Sequence, residues 1–159
     1  MKKRDVIILT AMAFGMLFTG CKSTYEKYSN EDFSIEYPKK WEKEINMFPV
    51  MPFVAFSDFQ TAMVSTKDTS GVTLEDFAKA RIKAFEEEQI GFKLISLDVD
   101  NSYALIRYSN EDEDDPSYHL ETLMKIGRRG EKLYGVTCAY ENEAQKDTVE
   151  HIINSFQLK

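Results

Sequence analysis

An α+β fold, with a mainly antiparallel sheet covered by helices on both faces, follows from three features of the sequence. Several stretches alternate apolar and polar residues and are separated by short turn-forming connectors, which forces antiparallel neighbours. Two longer stretches switch to the helical period. The last strand-like run, Leu133-Tyr134-Gly135-Val136-Thr137-Cys138-Ala139-Tyr140, has no charge on either of its alternating sets, as a central strand covered on both sides requires.

Phe33-Ser34-Ile35-Glu36-Tyr37 has the strand period, and Pro38 ends it because proline has no N–H to give a ladder. Trp41 and Ile45 bracket a second short stretch. Phe48-Pro49-Val50-Met51-Pro52 reads as an apolar loop that its prolines keep out of the sheet. Residues 53–58 and 62–66 read as a hairpin, followed by a turn at Thr69-Ser70-Gly71. Leu74, Phe77, Ala78, Ile82 and Phe85 then recur at helical spacing, with Thr73 as N-cap, Asp76 at N3 and Gly91 at the exit. Glu86, Glu87 and Glu88 in the last turn oppose the helix dipole by a few tenths to about 1 kcal/mol, tolerable on a solvated surface. Strand signals return at 92–99, 103–108, 118–126 and 133–140. The connectors between them are Asp100-Asn101-Ser102, 110–117 and Gly127-Arg128-Arg129-Gly130, so these four strands form a meander. A final helix spans 144–156, started by Asn142 with Gln145, with Val149, Ile152, Ile153 and Phe156 on one face. Strands, helix, four strands, helix is an α+β order. The two helices are expected on opposite faces, with Trp41, Phe77, Phe85, Val136 and Phe156 in one core.

The chain has 159 residues, with 20 Lys+Arg against 27 Asp+Glu, a net charge of -7, and 43% apolar residues. This length suits one domain with a real core. The apolar fraction excludes a wholly disordered chain, and two cysteines exclude a disulfide-dense scaffold. The acidic balance argues against nucleic acid as a partner.

The amino terminus is an address. Lys2, Lys3 and Arg4 precede residues 6–18, which carry no charge and fall short of the roughly 20 residues of a membrane span. Thr19-Gly20-Cys21 follows. This segment resembles the lipobox of bacterial lipoproteins, with Phe18 where Leu is usual. The resemblance implies a signal peptide at 1–20, cleavage before Cys21 and lipidation of its thiol and amino end. The alternatives are an ordinary cleaved signal or an uncleaved anchor. Loss of Lys2, Lys3, Arg4 and Asp5 leaves 17 basic and 26 acidic residues, a net of -9. Anionic headgroups repel such a body. Acyl chains at about 0.8 kcal/mol per buried methylene hold it instead. Residues 21–31 then form a lipidated tether, and 32–159 a single extracytoplasmic domain anchored in the bacterial envelope.

Phe33-Ser34-Ile35-Glu36-Tyr37-Pro38, with Trp41 three residues on, resembles the opening of PsbP-like domains, whose pattern is roughly F-x-I-x-Y-P-x-x-W. The central helix, the meander and the last helix ending at Ser155-Phe156 extend the resemblance over about 32–158. It implies an α/β/α sandwich that acts by binding or supporting other proteins. Known relatives include an extrinsic protein of photosystem II and small bacterial proteins of unknown role. The matching positions are structural, so no catalytic residue carries over.

Chemistry-bearing motifs are sparse. Glu111-Asp112-Glu113-Asp114-Asp115 is rich in oxygens, and Asp98 and Asp100 stand near in sequence. It lacks the spacing and the central glycine of a Ca²⁺ loop, so a solvated loop is expected, with a weak Ca²⁺ site as alternative. His119 and His151 lack the Cys/His spacing of a zinc site. No nucleophile elbow, P-loop or dinucleotide fingerprint occurs, and neither an enzyme activity nor a cofactor is expected. Cys138 reads as a buried, inert thiol. Gly127 to Gly130, with Lys125 and Lys132, is a basic spot read as a turn with solvated arginines, or as a contact for lipid phosphates or an acidic partner. Phe48, Pro49, Val50, Met51, Pro52 and Phe53 either cap the core or form a partner surface. The expected role is a non-catalytic binding or accessory module for another envelope protein. The alternatives are a small-molecule or metal-binding lipoprotein with a cleft beside the sheet, and a hydrolase.

Overall fold

The computed structural model describes residues 24–58, 60–112, 114–115 and 117–159. The signal peptide expected at 1–20 and the lipidation expected at Cys21 lie outside the described residues.

The chain runs β1 (Tyr25–Ser29), β2 (Phe33–Pro38), β3 (Glu42–Phe48), β4 (Met51–Phe56), β5 (Thr61–Asp68), α1 (Leu74–Glu88), β6 (Phe92–Val99), β7 (Tyr103–Glu111), β8 (His119–Arg129), β9 (Lys132–Tyr140), α2 (Glu143–Ser155) and β10 (Gln157–Leu158). Seven strands form one sheet in the order β3-β4-β5-β9-β8-β7-β6, and β1-β2-β10 form a second. Every pairing is antiparallel. The architecture is thus α+β with a mostly antiparallel sheet and two helices.

The expected meander is present as β6 to β9, and uncharged β9 is central, between β5 and β8. Residues 25–29, expected in the tether, are instead strand β1, so the fold begins before Asp32. Two tyrosines explain this. Tyr28 stacks on Phe53 at 4.7 Å, and Tyr25 stacks on His151 at 3.8 Å, which gives a polar segment apolar purchase.

The expected single core is two clusters. Phe85, with Phe77 packed against it, gathers with Ile82, Ile106, Met124 and Ile126. Trp41, Val136 and Phe156 gather with Phe33, Ile35, Phe53 and Leu123. Leu123 and Met124 are successive residues of β8, and successive strand side chains point oppositely. The same alternation recurs on β9, where Leu133 belongs to the first cluster and Tyr134 to the second. Helix α1 packs on β6, β7 and β8, whereas α2 packs on β2, β8 and β9.

Thr73 caps α1: its hydroxyl accepts from Asp76 N at 3.1 Å and donates to Asp76 Oδ2 at 2.8 Å. At α2 the expected box differs. Asn142 makes no side-chain cap bond, and Gln145 Oε1 accepts from Glu141 N at 2.9 Å. Helix α1 ends at Gln89, and Gly91 takes φ 65° to turn into β6. A Cβ there would lie 1.6 Å from the Glu111 carbonyl oxygen, so only glycine fits.

Candidate functional site

The expected partner segment is divided by the fold. Phe48 ends β3, Pro49-Val50 is the turn, and Met51, Pro52 and Phe53 open β4. The prolines do not keep this segment out of the sheet. Ile45 pairs with Phe53 and Phe48 with Met51, so Asn46 and Met47 together oppose Pro52 in a bulge. A bulge is where a strand tolerates a residue without an N–H. Asn46 takes φ 55° there, a left-handed value that asparagine accepts more readily than most residues.

Phe53 is fully buried and belongs to the core. The rest of the hairpin is the reverse: Ile45 is 46% exposed, Met47 40%, Phe48 55% and Val50 59%. Residues 45–57 contain no charge, and every residue of β3, an outer strand, is exposed. Four apolar side chains on one charge-free projection form the kind of patch that marks a contact surface.

At the other end of β3 lies a groove of about 990 Å³, lined among others by Tyr25, Lys39, Lys40, Trp41, Phe56 and Gln145. Its wall is held by a three-strand clamp. Lys43 Nζ donates to Glu26 Oε1 at 2.8 Å and to Tyr37 OH at 2.7 Å, joining β3 to β1 and β2. The bond to Glu26 raises the Lys43 pKa, and the same bond lowers that of Glu26. Burial, the largest cause, raises that of Tyr37.

A smaller hollow of about 240 Å³ contains Lys27, Glu36, His151 and Ser155. His151 Nε2 lies 2.9 Å from Glu36 Oε2. Ser155 Oγ accepts from Glu36 N at 2.8 Å and donates to Ile152 O at 2.8 Å. The histidine thus meets a carboxylate, and the hydroxyl is spent on backbone that joins α2 to β2.

The acidic loop is organised around its own backbone. Asp112 accepts from Asp114 N at 2.9 Å, and Asp115 from Ser117 N at 3.0 Å. Glu111 meets Lys93 and lies 3.8 Å from His119. Asp100 accepts from Ser102 N at 2.6 Å and Tyr103 N at 2.7 Å, which holds its pKa below the usual carboxylate value. It stands at the opposite end of β7 from Glu111, about 27 Å away at strand rise, so it cannot join the loop. Among the described residues no group of three His, Cys, Asp or Glu side chains is placed to hold a metal ion.

The basic spot is a set of staples rather than solvated arginines. Gly127, Arg128 and Arg129 lie within β8. Arg128 donates to Thr69 O at 3.1 Å and to Val72 O, and Arg129 to Lys159 O at 2.9 Å and to Asp32. Lys125 donates to Phe156 O at 2.9 Å just past α2, where a cation suits the helix dipole. Cys138 is buried, and burial pushes its thiol up to about 12. These cation-to-carbonyl links have no local sequence signal, because their partners lie 28 to 59 residues away.

No family model matches the chain, and no curated protein matches it. Solved structures do. The solution structure of cyanobacterial PsbP (CyanoP) from Synechocystis sp. PCC 6803 superposes with a TM-score of 0.65 at 19% identity, over 92% of this chain and 99% of that one. A crystal structure from Bacteroides thetaiotaomicron VPI-5482 superposes with a TM-score of 0.54 at 11% identity over 86% of this chain, which spans about half of that protein. With the strand order and two-helix arrangement above, these likenesses establish that the chain has a PsbP-like fold.

Proposed function

We propose that the protein is a bacterial envelope lipoprotein, anchored outside the cytoplasm by lipid on Cys21. Its PsbP-like domain serves as a non-catalytic binding or accessory module for another envelope protein. The observation that carries this reading is the β3–β4 hairpin. A net-acidic domain that exposes Ile45, Met47, Phe48 and Val50 on one charge-free projection has a surface suited to a protein. The architecture that presents it is a sandwich with a helix on each face of the large sheet. The alternation of Leu123 and Met124 between the two clusters supports that arrangement.

The test is crosslinking in native membranes from a photoreactive residue at position 48 or 50, with position 83 on α1 as control. A discrete envelope protein captured from the hairpin and not from α1, and lost when Ile45→Asp/Met47→Asp is added, is the expected result. Equal labelling from all three positions refutes the reading. Mass analysis of the membrane-extracted protein tests the anchor: an unmodified Cys21 removes it.

The groove beside β3 favours a second reading, a small-molecule-binding lipoprotein. Its size lies at the upper end of ordinary ligand sites, and it combines Trp41 and Phe56 with Lys39, Lys40 and Gln145.

A further inference from the structure

Most cations of the described residues are engaged. Lys43 meets Glu26, Lys93 meets Glu111, Arg107 meets Glu121 and Glu150, and Arg129 meets Asp32. Lys125 and Arg128 are bonded to backbone carbonyls. Lys27, Lys39, Lys40 and Lys132 are exposed, and none has an ion pair or side-chain hydrogen bond among the described residues. Of these, only Lys39 and Lys40 are adjacent, and Lys39 acts on the Glu26 carboxylate at longer range.

Their position is fixed by backbone. Trp41 N donates to Pro38 O at 2.9 Å, closing the turn between β2 and β3, and Lys39 N donates to Thr24 O at 3.0 Å. The lysine pair is therefore tied to the residue three places after Cys21. Three residues span at most about 11 Å. The Debye length at physiological salt is about 8 Å, so this tie keeps Thr24 within about one and a half times the range over which a surface lysine feels an anionic bilayer.

We propose that the Pro38–Trp41 turn is the membrane-facing corner of the domain, with the ammonium groups of Lys39 and Lys40 on the phosphates of anionic phospholipid headgroups. This rests on the reading of Cys21 as the lipid attachment. The groove rim also carries Glu42 and Asp58, and the body as a whole is acidic. The attraction therefore holds only where the lysines are nearest the bilayer, and the bond from Lys39 to Thr24 puts them there. One lysine near such a surface strengthens attachment roughly fivefold, so the pair gives about thirty-fold. Strand β3 runs from this corner to Phe48, about 20 Å at strand rise, so the apolar hairpin points away from the bilayer toward a partner.

Trp41 is the only tryptophan in the chain and lies in the turn itself, so its fluorescence reports on this corner. The full lipidated chain would be placed in vesicles of phosphatidylcholine alone or mixed with phosphatidylglycerol, both with a headgroup-attached quencher. Stronger Trp41 quenching in the anionic vesicles, abolished by Lys39→Glu/Lys40→Glu with the melting temperature unchanged, is expected. Retention on both kinds of vesicle with equal quenching, or quenching indifferent to the double substitution, overturns the proposal and leaves the anchor standing. Release from both with an unmodified Cys21 overturns the anchor and the proposal together.

Discussion

Replacing Phe156 by alanine tests how the end of the chain closes the fold. Phe156 is fully buried and follows α2 directly, ahead of β10. Its ring lies 5.8 Å from that of Phe33 on β2, in a tilted arrangement that favours aromatic pairs. Truncating a buried phenylalanine typically costs about 3–5 kcal/mol, through lost transfer energy and the cavity left behind. The bond from Lys125 Nζ to the Phe156 backbone carbonyl survives the change, so the loss is one of packing. An entropy of unfolding near 2.1 cal/mol/K per residue, over a domain of this size, converts that loss into a fall in melting temperature of roughly 10–17 °C. Thermal unfolding followed by far-UV circular dichroism reads it, with Phe48→Ala as the exposed control. That control should stay within about 0.5 kcal/mol of wild type. A Phe33→Ala/Phe156→Ala cycle should return a coupling of about 0.5–1.5 kcal/mol. An unchanged melting temperature for Phe156→Ala would refute the docking of α2 against β2.

Three further outcomes follow from named contacts. Gly91→Ala should destabilise far more than Gly71→Ala. Both glycines have positive φ, but only at Gly91 would a Cβ meet backbone, whereas at Gly71 nothing lies within 4 Å; equal melting temperatures would contradict the close approach of Glu111. The folded state holds the Cys138 proton to about 12, whereas an unfolded thiol loses it near 8.5, so between these values the unfolded chain binds fewer protons and stability falls as pH rises. Urea titrations above neutrality should show that slope reduced, not abolished, in Cys138→Ala, since Tyr37 and Tyr140 are also raised; identical slopes would refute it. Calorimetry with Ca²⁺ should find no micromolar site in the acidic loop, whose aspartates accept from their own backbone; a micromolar Kd lost on Asp112→Asn/Asp114→Asn/Asp115→Asn would reverse that reading.

Periodicity located the elements whose partners are local. Strand β6 was expected at 92–99 and found there, and α1 began at its Thr73 cap, because alternation and capping depend on neighbours a few residues apart. What periodicity missed depends on distant partners. Strand β10 pairs with Phe33 and Ser34 across the length of the domain, and two residues are too few to show a period. Strand β1 is polar, and its place comes from tyrosine rings stacked on Phe53 and His151. The candidate site was half legible. The composition of 48–53 marked it as unusual, but only the bulge at Asn46 and Met47 decides that Phe53 turns inward while Phe48 and Val50 remain outside.

That bulge also bears on how a partner would meet the hairpin. Strand β3 is an outer strand, and an open ladder of N–H and C=O groups invites a further strand. The register shifts between Ile45 and Phe48, however, and Asn46 leaves the extended region, so the edge is interrupted midway. Strand β6 at the opposite edge repeats the arrangement, with a shift between Leu94 and Ser96 and with Leu94 and Ile95 exposed. Both edges thus expose apolar side chains while breaking the ladder that would let strands add indiscriminately. The affinity available at the hairpin lies in its side chains. Burying a side chain the size of Phe or Val contributes about 1.5–3 kcal/mol. Phe48 and Val50, the two most exposed apolar side chains of the hairpin, are therefore the pair on which a partner's specificity would depend. A ladder of backbone bonds, indifferent to sequence, would not supply it.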